Sequence, residues 1–220
     1  MLQGTDFDDL LTHVPLDSEP KAELTARMSE PSRRYHGIGH LEVLWRRHRA
    51  HADEAGLADP MVTMLIACAI AYHDSVYDGH RADNEDLSAM LWMKASETSE
   101  LTTPDREWVA ATIRATENHL AYDPGLYAEL PQHERARLWL LDLDLTPLAE
   151  LPDEFDLNSR NLRDEVPDFT EAKWMTGAHM FLKHIAGAPR IYRSPVLAAH
   201  YEERARSNIA RELARPVPAV

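Results

Sequence analysis

The sequence predicts an all-α protein, and three observations carry that expectation. Apolar residues recur at helical rather than alternating spacing along most of the chain. Prolines and glycines stand where helices begin or stop, as at Pro60, Pro104, Pro195 and Gly56. Runs with the two-residue period of a half-buried strand are nearly absent. At 220 residues the chain is long enough for one substantial core, and no repeat, low-complexity tract or clear linker divides it. One helical bundle over residues 1–220 is expected, with residues 1–18 as a flexible N-terminal segment.

Lys21–Ser29 reads as a short amphipathic helix stopped by Pro31. In His40–Ala55, Leu41, Leu44 and Trp45 form an apolar stripe, with Arg46, Arg47 and Arg49 on the wet side. Pro60 opens a helix through His73 that is apolar on most faces and is expected at the centre of the core. After a loop over Asp74–Ala82, helices follow at Asp83–Ser96 and Pro104–His119, and the AYDPG stretch breaks the second. Further helices are expected at Glu134–Leu143, Phe169–Ala186 and Pro195–Ala214. Pro147–Asp168, rich in prolines and acids, reads as mixed loop and short helix.

Composition narrows the function. Asp and Glu number 37 against 23 Lys and Arg, a net charge of −14, and such a field repels nucleic-acid backbones and anionic lipid. The partner expected is therefore a small molecule rather than nucleic acid or membrane. The first 20 residues lack the basic and apolar regions of a signal peptide. No apolar run is long enough to span a bilayer. The single cysteine, Cys68, lies in an apolar run and suits a reducing cytoplasm, the expected location.

The strongest chemical signal is His73-Asp74, at the junction of the apolar helix and a loop. An Asp there is often a cap or turn residue, so its weight comes from company. His40 opens a helix after a Gly-Ile-Gly turn, and Asp142 and Asp144 sit inside LWLLDLDLTPL, which otherwise reads as core. A buried carboxylate costs several kcal/mol unless paired or bound to a cation. Imidazoles with carboxylates suit Mn²⁺, Fe²⁺, Ni²⁺, Co²⁺ or Zn²⁺, with Mg²⁺ a further candidate. The absence of Cys ligands argues against a structural zinc knot.

Six motifs in order extend the pattern: RRYHGIGH (33–40), YHDSVYD (72–78), DNEDLSA (83–89), IRATENH (113–119), DLDL (142–145) and ARSNIAREL (205–213). Together they resemble the HD superfamily of metal-dependent phosphohydrolases, and more closely an uncharacterised branch of predicted phosphohydrolases, from Ser32 to Leu213. The resemblance implies an HD-type helical bundle with His40, His73, Asp74 and Asp144 as metal ligands. Residues two apart on a helix point to different faces, so one of Asp142 and Asp144 ligates. Related HD proteins favour Asp144-Leu145, leaving Asp142 beside the site or as partner of an Arg at a helix end.

The same resemblance implies roles beyond the metal. Asp78 matches a water-activating acid of HD hydrolases that cleave guanosine tetraphosphate, although a loop Asp bonding its own backbone fits equally. His119 shares a helix face with Thr112 and Thr116 and is the second catalytic candidate. His36 and Glu85 are candidates for substrate contact, Glu85 also suiting a helix cap. Among Arg33, Arg34, Arg163 and Arg206, the motif positions favour Arg34 and Arg206 as phosphate ligands. His48, His51, His80, His133 and His200 read as surface residues.

The function implied is hydrolysis of a phosphate ester or anhydride in a small molecule or nucleotide, by hydroxide generated at the metal. Two other readings share the scaffold. A di-iron oxygenase would need further His ligands, for which His80 and His119 are available. A metal-and-nucleotide sensor would bind without turnover. The sequence leaves the oligomeric state open.

Overall fold

A computed structural model of the protein describes residues 5–218, and among them the architecture is all-helical, with no strand. Ten α-helices run in chain order: α1 (Asp6–Thr12), α2 (Ser18–Met28), α3 (Ile38–His51), α4 (Pro60–Tyr72) and α5 (Asn84–Ala95), then α6 (Thr103–Ala115), α7 (Gln132–Leu145), α8 (Pro152–Asp164), α9 (Glu171–Gly187) and α10 (Pro195–Leu213). No helix among the described residues is long and apolar enough to cross a membrane.

The core forms around α4. Asp59 caps it by accepting from the Met61 and Val62 amides, and Pro60 fixes its first turn. Every residue from Ile66 to Tyr72 is buried, so the helix presents apolar surface on all sides. It packs against α1, α3, α5, α6 and α7. Three fully buried tryptophans fill the space between these helices, and each indole N–H has an acceptor. Trp45 donates to Asp9 at 2.7 Å, Trp92 to the Arg106 carbonyl at 2.9 Å, and Trp139 to His48 Nδ1 at 3.1 Å.

Three expectations change. Residues 5–18 are not a loose arm: α1 starts with a Thr5–Asp8 capping box, and Phe7, Leu10, Val14 and Leu16 are buried. Residues 1–4 of the expected flexible segment lie outside the described residues. His48, read as a surface residue, is only 1% exposed, because it accepts the Trp139 indole hydrogen inside the core. Pro147–Asp168 holds a full helix, α8, after a 3-10 turn at Thr146–Ala149. Its inward face, Phe155, Asn158, Ser159 and Leu162, has helical spacing, but two of the four residues are polar because this face lines a cavity.

Candidate metal centre

Three side-chain clamps join loops distant in sequence and place the chemical groups. Arg33, buried to 4% side-chain exposure, donates to the carbonyls of His36 (3.0 Å), Asp74 (2.6 Å) and Ser75 (3.2 Å). It ties the loop before α3 to the turn after α4. Asn84 exchanges two 3.0 Å hydrogen bonds with the backbone of Asp78, and Ser88 bonds the backbone of Val76. Asn208 donates to the carbonyls of Leu148 and Glu150 and secures the turn that follows α7. Much of the DNEDLSA and ARSNIAREL motifs is therefore fastening.

Within this frame four donor side chains converge. His40 lies in the first turn of α3, His73 caps the C-terminus of α4, Asp74 follows it, and Asp144 lies in the last turn of α7. His40 Nε2 stands 3.2 Å from His73 Nε2, 3.0 Å from Asp144 Oδ1 and 3.7 Å from Asp74 Oδ2. His73 Nε2 stands 3.1 Å from Asp74 Oδ2 and 3.5 Å from Asp144 Oδ1. His73 Nδ1 donates to the Ile70 carbonyl at 2.9 Å, so Nε2 is the nitrogen turned to the cluster. The corresponding nitrogen of His40, Nδ1, is buried without a partner among the described residues.

The electrostatics follow from burial of these groups together. Burial alone would raise the Asp144 carboxyl, yet His73, His119 and His40 hold it well below the usual carboxylate range. Asp74 is likewise held low against its burial, first by His73 and then by His36 and His40. Burial would lower His73, but Asp74 and Asp144 raise it well above an ordinary imidazole. The two carboxylates are thus held charged by the imidazoles beside them.

Asp142, two residues before Asp144, points elsewhere. It accepts from Arg193 Nε at 3.1 Å and from the Ser194 amide at 2.6 Å, joining α7 to the start of α10. Burial raises its carboxyl to about 6, opposed by Arg193. Of the two acids in the DLDL motif, Asp144 is the one in the cluster.

A cavity of about 400 Å³ opens over the cluster, with His40, Asp74, His119 and Asp144 at its base. His119, Glu85 and His36 also line it. His119 Nε2 lies 2.7 Å from Asp144 Oδ2. Burial raises the Glu85 carboxyl. His36 stacks on Tyr77 with ring centroids 3.9 Å apart. Thr116 joins His119 on the lining, whereas Thr112 is buried, donating to the Trp108 carbonyl.

Three expected site residues do not line this cavity. Asp78 is exposed and accepts from the His80 amide at 2.9 Å, the local turn that its position before Gly79 allows. Arg206 pairs with Glu202 and donates to the carbonyls of Ala186 and Ala188 at the end of α9, a demand of that helix terminus. Arg34 is exposed on a neighbouring groove of about 470 Å³, which His40 borders but neither Asp74 nor Asp144 does. Arg163 closes the turn between α8 and α9 through the Val166 and Phe169 carbonyls.

Glu165 gives the site a residue that sequence reasoning missed. Its Oε1 accepts from the Tyr35 and His36 amides at 2.7 and 2.9 Å, and its Oε2 lies 2.6 Å from His36 Nδ1. A carboxylate accepts only, so Nδ1 carries the hydrogen and Nε2 is the imidazole's free base. Burial opposes this carboxylate, yet the bond to His36 holds Glu165 below its ordinary range. The partners are 129 residues apart, and no local pattern connects them.

No protein-family model matches the chain, and no curated protein or solved structure does either.

Proposed function

We propose that this chain is a metal-dependent phosphohydrolase of the HD type, acting in a reducing cytoplasm on a phosphate ester or anhydride of a small molecule. The observation that carries the reading is the meeting of His40, His73 and Asp74, whose ligand atoms all lie within 4.8 Å of one another, with Asp144 Oδ1 3.0 and 3.5 Å from the two imidazoles. Nitrogen and oxygen ligands lie at about 2.0–2.2 Å from a divalent transition metal. Neighbouring positions around such an ion are then roughly 3.0–3.5 Å apart, which His40–His73, His73–Asp74 and both imidazole–Asp144 separations match, while Asp74 stands 3.7 Å from His40. The fixed orientation of His73 adds to the fit, since Nδ1 is held by the Ile70 carbonyl and Nε2 is the nitrogen turned toward His40, Asp74 and Asp144.

A bound ion would supply Lewis-acid charge and acidify a water at neutral pH. The chain's own residues do the rest. His40, His73, Asp74 and Asp144 hold the ion, and His119 fixes the orientation of Asp144 through the outer carboxylate oxygen. His36, with Nδ1 held by Glu165, presents Nε2 as the atom that takes or returns a proton in the cavity. This pair replaces exposed Asp78 as the proposed acid–base group. The di-iron alternative loses support at His80, which lies on the surface between Asp78 and Asp168.

The test is phosphate release from a panel of phosphate esters and anhydrides, with Mn²⁺, Co²⁺, Ni²⁺, Fe²⁺, Zn²⁺ or Mg²⁺. Turnover by the native chain and its loss in Asp74→Ala is the expected result. Protein holding one ion per chain that turns over no phosphorylated compound contradicts the proposal and leaves the sensor reading in its place.

A further inference from the structure

We propose that the cavity selects a phosphate monoester whose alcohol is a compact apolar group, aryl or branched alkyl, over nucleotides and polyphosphates. This inference rests on the phosphohydrolase reading and adds the substrate class. The first observation is the apolar part of the lining. Phe155 and Leu162 of α8, Trp174, Ala178 and Phe181 of α9, and Leu148 from the turn before α8 line the same cavity as the donor cluster. The spacing 174, 178, 181 is one face of a helix. Phe181 is 46% exposed, an apolar aromatic on a surface that a bound apolar body would cover.

Charge supplies the second observation. No arginine or lysine stands among the residues lining the cavity, whereas Glu85 and Glu212 do. Of the arginines that sequence pattern offered for phosphate, Arg33, Arg163 and Arg206 bond backbone carbonyls elsewhere and Arg34 lies exposed on the neighbouring groove, and the chain as a whole carries −14. A di- or triphosphate brings charge that guanidinium or ammonium groups ordinarily neutralise. Here the positive charge would be confined to the divalent ion at the base of the cavity. That suffices for one phosphoryl group and repels a longer chain of them.

Size agrees. At about 400 Å³ the cavity lies near the small end of ligand pockets. A phosphoryl group at the donor cluster leaves room for a single ring or a branched chain beside Trp174.

The test is calorimetric binding to the Mn²⁺-loaded full chain of three non-hydrolysed probes: benzylphosphonate, methylphosphonate and a methylene-bridged ATP analogue. Benzylphosphonate is expected to bind at least tenfold more tightly than the other two. Trp174→Ala and, separately, Phe181→Ala are each expected to reduce its advantage over methylphosphonate to threefold or less. Phe181 is exposed enough that its replacement leaves the fold intact. Equal binding of the two phosphonates overturns the inference, as does tighter binding of the ATP analogue, the result expected if a phosphate chain reached Arg34. A tenfold preference in a protein that hydrolyses no ester supports the cavity's selectivity while contradicting the phosphohydrolase reading, so the two failures are distinguishable.

Discussion

The His119 imidazole stands 2.7 Å from Oδ2 of Asp144, while the other oxygen of that carboxylate lies 3.0 Å from His40. One carboxylate thus spans two histidines from different segments, and only one of its oxygens faces the donor cluster. An outer partner of this kind orients a ligand and tunes its basicity. His119→Ala is expected to weaken divalent-metal binding by about 10–100-fold. A metal titration of both proteins checks this, and unchanged affinity would assign His119 to substrate alone.

Glu165 and Asp78 make opposite predictions. Glu165→Gln keeps an oxygen for the Tyr35 and His36 amides but removes the carboxylate that fixes His36. Its turnover is expected to fall at least about tenfold, less than the roughly 100-fold of losing the acid–base group itself because the His36 imidazole remains, with metal content unchanged. Asp78→Ala, altering an exposed turn, should stay within about twofold of wild type on steady-state kinetics.

Arg33 is a stability prediction. Its replacement by Ala leaves the buried carbonyls of His36, Asp74 and Ser75 without their donor. Unsatisfied buried groups cost about 1–3 kcal/mol each before relaxation or entry of water, so a net loss of about 3 kcal/mol is expected. For a chain of this size that lowers Tm by roughly 6–12 °C. Arg34→Ala, on the exposed neighbour, should leave Tm unchanged, and scanning calorimetry of the pair separates the two.

His48 gives a pH dependence. Burial lowers its pKa to about 4, with a smaller contribution from His13, against about 6.5 for an unfolded imidazole. The folded state therefore holds fewer protons between those values. The contribution of neutral His48 is present above about pH 6.5 and disappears as pH falls toward 4, at most about 3 kcal/mol in all. Urea unfolding of wild type and His48→Gln at pH 7 and pH 4.5 measures it. The variant keeps an acceptor for Trp139 and should lose less stability on acidification.

What could be read in the chain before its fold was what shows as an exception to a local pattern. His73, Asp74 and Asp144 are polar residues where apolar helices were expected, and those helices place them together. Glu165 and Arg33 act across long separations through backbone atoms, and composition carries no trace of such pairings. Helix α8 was obscured because its inward face borders a cavity rather than core. His48 was misread because its partner is an indole N–H on α7. Arg206 and Asp78 occupy motif positions but bond the nearest backbone, which spacing alone does not reveal.

The most direct test of the metal centre is anomalous scattering from crystals of the chain grown with Mn²⁺. The account predicts one strong peak about 2.0–2.3 Å from His40 Nε2, His73 Nε2 and one oxygen each of Asp74 and Asp144, absent in Asp74→Ala. A peak elsewhere, or none at this cluster with the ion in excess, would contradict it.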